Sequence, residues 1–329
     1  MKQIGIIGSG AWGTALAQVI AAKGQSVTLW ARRPELAAII NDKRENTENL
    51  PGIPLHQNIH ATADLKEAAS DAEILLLVPP AQSLREILQN LKPYVKKNTA
   101  LVLSSKGIEL KTGLMMSEVA HEMLPQNPLC ILSGPNFARE IASGQPAATT
   151  LACLDNILAK KTQSAIGSPY FRPYITDDLT GVQVAGALKN VIAIACGIAQ
   201  GLGFGESTRA SLVTRGMAEI VRLGTSMGAR TETFLGLSGM GDLMLTCSST
   251  QSRNFSLGVA LGQGKNLEDI QKKSHAVTEG VHTAQAALSL AARHNREMPV
   301  TKAVNQCLNE GRKLDDALKD MLNRPFGNE

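Results

Sequence analysis

The chain opens with an apolar segment that leads directly into a glycine-rich turn and then into a segment with helical apolar spacing. Residues 4–7 predict a short buried strand, and the turn after it carries Gly8, Gly10 and Gly13 in a GxGxxG pattern. Between a strand and a helix, this pattern is typical of dinucleotide binding. The first glycine allows the tight turn, the second lets the backbone approach a pyrophosphate, and the third lets helix and strand pack closely. A glycine turn without a ligand is the alternative.

Further apolar runs, separated by segments with helical spacing, continue the alternation of strands and helices to about residue 177. We predict strands at residues 26–30, 73–78, 99–103, 129–132 and 147–151. We predict helices beyond them at residues 182–200, 207–227, 255–261, 281–293, 301–310 and 315–323. The sequence therefore predicts an α/β Rossmann-type dinucleotide-binding domain over residues 1–180 and an all-α domain over residues 181–329.

The composition is that of a globular protein, since 43% of the 329 residues are hydrophobic and 19% are charged. No uninterrupted apolar run reaches the roughly 18 residues that a membrane span needs. We expect no secretory leader, because no apolar leader-type segment stands ahead of the first predicted strand in the sequence. These features predict a cytoplasmic protein without membrane insertion.

The chain offers few groups for a metal ion or for nucleic acid. Its five cysteines have no CxxC spacing and its six histidines have no metal-ligand spacing, so we expect neither a disulfide framework nor a metal site. The net charge of +4 is mild, and aromatic residues at 3% provide few stacking surfaces, which argues against nucleic acid as a partner. A small anionic ligand accounts for the basicity better.

The residues after the second predicted strand bear on cofactor choice, because the end of this strand faces the adenosine ribose in a Rossmann domain. An NAD enzyme usually has Asp or Glu there, whereas this chain has Arg32 and Arg33. We therefore expect that no carboxylate is available there to accept from a ribose 2′-hydroxyl or to repel a 2′-phosphate, and the chain is predicted to accept NADP as well as NAD. A solvated pair of arginines is the alternative.

The predicted helix 182–200 is apolar on nearly every face and yet contains Lys189. Burial would lower the pKa of this amine toward the range useful for proton transfer, and reduction of a ketone needs a group that protonates the alkoxide. The alternatives are that Lys189 extends to solvent or pairs with a carboxylate. Asp242, in the glycine-rich segment 236–243, could orient the lysine, or else serve as a turn or N-cap residue.

Two further segments offer groups for an anionic substrate. Ser252, Arg253 and Asn254 directly precede an apolar helix, so their donors and the helix N-terminus could bind a phosphate, with a forked contact from the arginine. The alternative is a capped helix with an exposed arginine. Lys106 follows the strand predicted at 99–103, and its position at the carboxyl end of that strand favours contact with a ligand.

Together these segments resemble the bacterial NAD(P)-dependent glycerol-3-phosphate dehydrogenases along essentially the whole chain. The resemblance rests on Gly8-Ser9-Gly10-Ala11-Trp12-Gly13, Ser105-Lys106-Gly107, Ser133-Gly134-Pro135-Asn136-Phe137-Ala138, Lys189-Asn190-Val191, Gly239-Met240-Gly241-Asp242, Ser252-Arg253-Asn254 and Val277-Thr278-Glu279-Gly280. It implies reversible reduction of dihydroxyacetone phosphate to sn-glycerol 3-phosphate with NADP or NAD, as a supply for phospholipid synthesis. It also implies a two-domain fold like that of 6-phosphogluconate dehydrogenase, and a homodimer.

The resemblance further implies roles for individual residues, with Lys189 as the general acid/base. The implied substrate contacts are Lys106, Gly134, Asn136, Lys189, Asp242, Ser252, Arg253 and Asn254. The implied cofactor contacts are Gly8, Ser9, Gly10, Trp12, Gly13, Arg32, Arg33, Lys106, Ala138, Arg253, Val277 and Glu279. Where this chain has Asn136 the family usually has Ser or Thr, and an amide can donate a hydrogen bond as a hydroxyl does.

Two other functions are compatible with parts of the sequence. A related two-domain dehydrogenase of another small hydroxy acid, such as a ketopantoate reductase, would lack the phosphate-binding Ser252-Arg253-Asn254. A non-catalytic NAD(P)-binding sensor would have no need of a buried lysine.

Overall fold

Strands and helices account for most of residues 3–273 and 278–323, the part of the chain that this computed structural model describes. Contacts within the chain divide it into two units. The sheet unit comprises the chain up to Lys106 together with Met115–Gln183, and the helical unit comprises Gly107–Leu114 together with the chain from Val184 onward. Residues 107–114, which lie inside the predicted first domain, thus pack with the helical unit.

An eight-stranded sheet organises the sheet unit. Its strands are β1 (Ile4–Ile7), β2 (Val27–Trp30), β3 (Ile59–Thr62), β4 (Ile74–Leu77), β5 (Ala100–Leu103), β6 (Leu129–Ser133), β7 (Ala147–Ala152) and β8 (Phe171–Thr176). They lie in the order β3-β2-β1-β4-β5-β6-β7-β8. The first six strands are parallel, whereas β7 pairs with β6 in the antiparallel direction and β8 pairs with β7 in parallel.

The strand order places the end of β1 at the switch point of the sheet. The chain proceeds from β1 to β2 and β3 on one side, and β4 then pairs with the other side of β1. Ligands of open α/β sheets bind outside the carboxyl ends of the strands at such a point. The glycine-rich turn lies there because it directly follows β1.

Helices cover this sheet, and their presence explains why its central strands are so apolar. They are α1 (Ala11–Ala21), α2 (Pro34–Lys43), α3 (Leu65–Ala69), α4 (Leu84–Leu91), α5 (Met116–Met123), α6 (Ala138–Ala142) and α7 (Asn156–Ile166), with a 3₁₀ turn at Ala81–Ser83. Every residue of β1, β2, β4 and β5 is buried. A parallel strand that is covered on both faces favours apolar residues at nearly every position, and segments of this kind predict these strands correctly.

Two strands at the edges of the sheet are absent from the sequence prediction. In β3 the side chain of His60 is exposed, and β8 alternates between buried and exposed residues around Pro173. An edge strand that is partly exposed to solvent needs no continuous apolar run. Because one side of it has no neighbouring strand, it also tolerates a proline, which cannot donate a backbone hydrogen bond. Short sequences of this mixed kind therefore carry little local signal.

The helical unit contains the remaining helices. They are α8 (Leu179–Gly201), which begins in the sheet unit, α9 (Glu206–Ser226), α10 (Thr231–Leu235), α11 (Asp242–Ser248), α12 (Arg253–Gly262), α13 (Leu267–Lys273), α14 (Glu279–Arg293), α15 (Pro299–Asn309) and α16 (Leu314–Leu322). The predicted helices are confirmed close to their predicted ends, whereas α10, α11 and α13 were not predicted. A π-helical turn at Leu237–Gly241 joins α10 to α11, where the sequence predicts only a glycine-rich loop.

Helix α8 is long and apolar enough to cross a bilayer by length and composition, and it is the one such helix in the described part of the chain. However, 89% of its most apolar window is buried within the protein. Burial on nearly all sides is typical of the core helix of a folded domain.

Four glycines let α8 and α12 touch along their backbones. A Cβ atom on Gly197 would lie 2.1 Å from a carbonyl oxygen of α12, and one on Gly258 would lie 2.2 Å from a carbonyl oxygen of α8. One turn further along both helices, Gly201 and Gly262 meet in the same way. Larger residues would push the two helices apart, so these glycines fix how α12 lies on α8.

All five cysteines are free thiols. Cys130, Cys153, Cys196 and Cys247 are buried, as small apolar residues would be, and Cys307 is half-buried. Within residues 3–273 and 278–323, no group of three or more His, Cys, Asp or Glu side chains could hold a metal ion.

Candidate active site

The turn after β1 needs two of its three glycines for reasons internal to the protein. Gly8 has a φ of 120°, in the region that disfavours other residues, and a Cβ atom there would lie 3.1 Å from the Val78 carbonyl oxygen. A Cβ atom on Gly13 would lie 1.9 Å from the carbonyl oxygen of Gly8. Gly8 thus forms the tight turn and Gly13 brings helix α1 against it, as the GxGxxG pattern predicts.

Gly10 differs from the other two, because nothing in the protein requires a glycine at its position. Its φ of −65° and ψ of 177° suit any residue, and a Cβ atom there would meet no other atom within 4 Å. No side chain caps the N-terminus of α1, which follows directly. A dinucleotide pyrophosphate fits this site, because it needs both the open space and the N–H groups of a helix start.

A buried asparagine from outside the motif holds this turn in place. Asn46 Nδ2 donates to the Ser9 carbonyl oxygen at 2.8 Å and to Thr14 Oγ1 at 2.8 Å, and its side chain is fully buried. Thr14 Oγ1 in turn donates to the same Ser9 oxygen at 3.3 Å. The segment after α2 therefore braces the turn, a role that could not be predicted from the sequence because no local pattern marks Asn46.

The arginines predicted to face the adenosine ribose lie directly after β2. The backbone N–H of Gly8 donates to the Trp30 carbonyl oxygen at 3.2 Å, so this strand end adjoins the glycine-rich turn. Arg32 is exposed, and Arg33 donates to the carboxylate of Glu48 in an ion pair. The expectation that no carboxylate is available to these arginines is wrong for Arg33, because the fold brings Glu48 to it from the segment after α2.

Two other predicted cofactor contacts lie on the helices that flank the turn. Trp12 is in the first turn of α1, and its ring meets the edge of the Phe171 ring with centroids 6.3 Å apart at an angle of 63°. Ala138 is the first residue of α6, which packs on α1. Both residues are half-buried, so both keep accessible surface for a ligand.

Three predicted substrate contacts follow β5 and β6 at their carboxyl ends. Lys106 comes three residues after β5, Gly134 comes directly after β6, and Asn136 comes three residues after β6. Both polar atoms of the Asn136 amide are buried without a hydrogen-bond partner in the described structure. Because an unpaired buried polar group costs about 1–3 kcal/mol, this amide fits a site at which a ligand supplies the partner.

The helical unit holds Lys189 in a buried polar cluster. Its Nζ atom lies 2.5 Å from Asp242 Oδ1 and 2.7 Å from Thr246 Oγ1. The side chains of Lys189 and Asp242 are 10% and 2% exposed, respectively. Lys189 therefore does not extend to solvent. It pairs with a carboxylate, which is one of the alternatives considered from the sequence. The Asp242 charge compensates the ammonium in a place where water cannot.

Local folding explains how Asp242 reaches this lysine. In the π-helical turn that precedes it, a Cβ atom on Gly239 would lie 2.1 Å from the carbonyl oxygen of the buried Phe234. Asp242 is then the first residue of α11, where the helix dipole favours a carboxylate. Thr246 follows one turn later on the same face and also contacts Asp242, at 3.3 Å. Thr246 is absent from the predicted site residues, although its spacing of four from Asp242 is a signal for it.

The segment predicted to bind phosphate lies at the start of α12. Ser252 Oγ accepts from the Phe255 N–H at 3.2 Å and caps this helix, as the alternative interpretation of the segment expects. Asn254 Oδ1 accepts from the Gly280 N–H at 3.0 Å, which ties α12 to the start of α14. These two residues thus hold Arg253 between them, on a helix start that the four glycines place beside α8.

Arg253 combines solvent access with a crowded surrounding. Its side chain is accessible at the surface, and yet burial by the surrounding protein lowers the pKa of its guanidinium, while the charge of Glu279 opposes this shift. An arginine keeps its proton at neutral pH even so, because its ordinary pKa lies so far above 7. Arg253 and Glu279, which are both predicted cofactor contacts, therefore influence each other. Val277, predicted with them, lies outside the described residues.

The structure thus assembles the predicted residues in separate groups within each unit. In the sheet unit, the glycine-rich turn adjoins Arg32 and Arg33. In the helical unit, Lys189 meets Asp242 directly. The other predicted residues that the structure describes follow strand ends or lie at the starts of helices.

Comparison with known proteins identifies the family. The family model described as the NAD-dependent glycerol-3-phosphate dehydrogenase N-terminus matches residues 3–159, and the one for the C-terminus matches residues 178–319. A protein of Parvibaculum lavamentivorans named glycerol-3-phosphate dehydrogenase [NAD(P)+] is 52% identical over 328 residues, covering 100% of this chain and 98% of that protein. This chain belongs to the NAD-dependent glycerol-3-phosphate dehydrogenase family.

Solved structures agree with membership in the glycerol-3-phosphate dehydrogenase family. The crystal structure of a glycerol-3-phosphate dehydrogenase from Coxiella burnetii is 36% identical in sequence, covers 98% of this chain and 99% of its own, and superposes with a TM-score of 0.95. The predicted family and the predicted α/β-plus-helical fold are therefore confirmed. A ketopantoate reductase from Ralstonia eutropha superposes with a TM-score of 0.64 at 14% identity, a likeness that shows a shared fold alone.

Proposed function

We propose that this chain, as a member of the glycerol-3-phosphate dehydrogenase family, reduces dihydroxyacetone phosphate reversibly to sn-glycerol 3-phosphate with NADPH or NADH. The observation that carries the mechanism is the buried Lys189 ammonium, which Asp242 and Thr246 hold by short hydrogen bonds. A fixed ammonium can give a proton to a developing alkoxide and take it back in the reverse reaction. The name of the Parvibaculum relative supports the same reaction.

The sheet unit supplies the groups for the nucleotide. Gly8, Gly10 and Gly13 shape the turn for the pyrophosphate, and Arg32 and Arg33 face the adenosine ribose. When bound, the nucleotide supplies the hydride that reduces the carbonyl carbon. The further cofactor contacts that we propose are Ser9, Trp12, Lys106, Ala138, Arg253, Val277 and Glu279.

The helical unit supplies the proton. As the carbonyl carbon accepts hydride, its oxygen gains negative charge, and Lys189 Nζ transfers a proton to that oxygen to complete the alcohol. In oxidation the neutral amine accepts the hydroxyl proton. Asp242 and Thr246 act by orienting Nζ, and the Asp242 charge favours return of the lysine to the ammonium form.

The substrate carries a phosphate, and we propose Arg253 as its main anchor. A guanidinium can make two parallel hydrogen bonds to a phosphate, and the start of α12 adds the favourable end of a helix dipole. Ser252 and Asn254 support this contact by capping α12 and by tying it to α14. Lys106, Gly134 and Asn136 complete the proposed substrate set, and the unpaired amide of Asn136 supports its place in it.

We also propose a biological setting for this reaction. The product, sn-glycerol 3-phosphate, would supply phospholipid synthesis, in the cytoplasm and in a homodimer, as the family resemblance implies. Analytical ultracentrifugation of the purified chain tests the dimer directly, and a monomer at micromolar concentration would contradict it.

One absorbance assay tests the proposed activity. The purified chain should oxidise NADPH when dihydroxyacetone phosphate is added, and Lys189→Ala should lower kcat about a thousandfold while nucleotide affinity stays unchanged. Lys92→Ala, at an exposed lysine in the sheet unit, is the matched control and should keep full activity.

Turnover of ketopantoate in place of dihydroxyacetone phosphate would indicate another dehydrogenase, and nucleotide binding without turnover would indicate a sensor. Near wild-type turnover by Lys189→Ala would remove the lysine from the mechanism.

A further inference from the structure

We propose that Glu48 is a specificity-determining residue that lowers the affinity of this chain for NADP relative to NAD by pairing with Arg33. The inference deepens the proposed function, because it concerns the choice between the two cofactors that the function uses. The residues next to Arg33 in the sequence give no indication that it pairs with Glu48.

The Arg33–Glu48 pair lies at the ribose end of the proposed nucleotide site. The end of β2 adjoins the glycine-rich turn through the Gly8 to Trp30 hydrogen bond, and the Ala31 N–H is held by the Thr62 carbonyl oxygen at 2.8 Å. In a Rossmann domain the residues that follow this strand meet the 2′-position of the adenosine ribose. Arg33 is one of them, and its guanidinium donates to the Glu48 carboxylate.

Glu48 itself lies on an anchored turn. Two residues before it, Asn46 is buried and donates to Ser9 and Thr14 of the glycine-rich turn and of α1. The Asn46 side-chain oxygen also accepts from the Asn49 N–H at 3.1 Å, which closes the turn around Glu48. The nucleotide-binding turn and this carboxylate are therefore braced by the same side chain.

The charge of the ligand decides how it meets this pair. A 2′-phosphate carries between one and two negative charges, so it would be repelled by Glu48 and would have to compete with it for Arg33. A ribose 2′-hydroxyl can instead donate to a carboxylate, which is the usual recognition of NAD. Arg32 is exposed and has no ion-pair partner among the described residues, so it stays available to a 2′-phosphate. Glu48 would thus reduce NADP binding without abolishing it.

Solvent limits the size of this effect. The side chains of Arg33 and Glu48 are 54% and 41% exposed, so water and salt screen their charges. We therefore expect Glu48→Gln to lower the ratio of Kd for NADP to Kd for NAD about tenfold, and less at high salt. The fold should tolerate this change, because surface ion pairs contribute little to stability.

Titration calorimetry with NADP and NAD, in the absence of any substrate, tests the proposal on the full chain. Glu45→Gln is the matched control, because Glu45 lies in the same segment but accepts from the Gly52 N–H at 2.8 Å, and a glutamine oxygen can still accept there. This control should leave the ratio unchanged. In an Arg33→Met background the gain from Glu48→Gln should shrink, since no guanidinium is left to release.

The outcomes separate this inference from the proposed function. A ratio that changes less than twofold in Glu48→Gln, with both nucleotides still bound, would overturn the role of Glu48 alone. An equal shift in Glu45→Gln would also overturn it, because the effect would then come from net charge and not from the Arg33 pair. Failure of the unaltered chain to bind either nucleotide would instead refute the proposed function.

Discussion

Substitution of Gly10 by alanine tests whether the open space in the glycine-rich turn is a nucleotide site. The protein itself places no demand on this position, because the backbone is in an ordinary region and a Cβ atom would meet nothing within 4 Å. The methyl group would, however, occupy the space through which a pyrophosphate approaches the backbone. The variant should therefore fold normally and lose nucleotide affinity.

The expected magnitude follows from the contacts that the methyl group displaces. A hydrogen bond between a backbone N–H and a charged phosphate oxygen contributes about 1.5–3 kcal/mol. The loss of one to two such bonds amounts to roughly 3 kcal/mol, and since about 1.4 kcal/mol corresponds to a tenfold change, Kd for NADPH should rise about a hundredfold. Stability should change little, because alanine is a poorer N-cap than glycine but restricts the unfolded chain, and the two effects of about 1 kcal/mol oppose each other.

Gly205→Ala is the matched control for the effect on stability. Gly205 is also a helix N-cap, at the start of α9, with a φ of −81°, and a Cβ atom added there would meet no other atom within 4 Å. Thermal unfolding of both variants should give similar midpoints, while fluorescence titration with NADPH should show weakened binding in Gly10→Ala alone.

Gly13→Ala should behave in the opposite way. Its Cβ atom would lie 1.9 Å from the Gly8 carbonyl oxygen, so the turn must move, and overpacking of this kind costs about 1–3 kcal/mol of stability.

If Gly10→Ala bound NADPH as tightly as the unaltered chain, the open space at Gly10 would not be where a pyrophosphate binds.

Three further predictions concern the helical unit. Arg253→Ala should raise KM for dihydroxyacetone phosphate at least tenfold in steady-state assays, because the phosphate loses its proposed anchor; an unchanged KM would place the phosphate elsewhere. Asp242→Asn should lower the free energy of unfolding in urea by about 3 kcal/mol, because Lys189 would keep a buried charge without its partner; a loss below about 1 kcal/mol would contradict this. Burial raises the pKa of the Glu219 carboxyl above its ordinary value of 4.5. The protonated carboxyl therefore stabilises the folded state at low pH, and this contribution of Glu219 to the free energy of unfolding is lost as the pH rises through the raised pKa. The difference in unfolding free energy between the unaltered chain and Glu219→Gln should therefore fall as the pH rises above 4.5, and a constant difference would contradict burial as the cause.

Several elements of this protein could be predicted because their causes are local. Central strands such as β4 are apolar throughout since both faces are covered, and Gly8 and Gly13 meet backbone requirements that act within the six residues of the GxGxxG turn. The edge strands β3 and β8 were missed for the same reason, because a half-exposed strand has no such requirement. The antiparallel pairing of β7 with β6 likewise depends on how the chain returns to the sheet, which no local pattern describes.

The candidate site likewise combines features that follow from neighbouring residues with features that depend on folding. The sequence by itself determined the glycine-rich turn, the apolar helix that carries Lys189, and the family to which the chain belongs, because each of these can be recognised from short local sequence patterns. Only the tertiary structure decided that Lys189 meets an aspartate 53 positions away and that Glu48 reaches Arg33 from a turn braced by Asn46. The physical reason is that the state and function of a charged side chain depend on the charges and the solvent within a few ångströms of it, and folding brings those neighbours from distant parts of the chain.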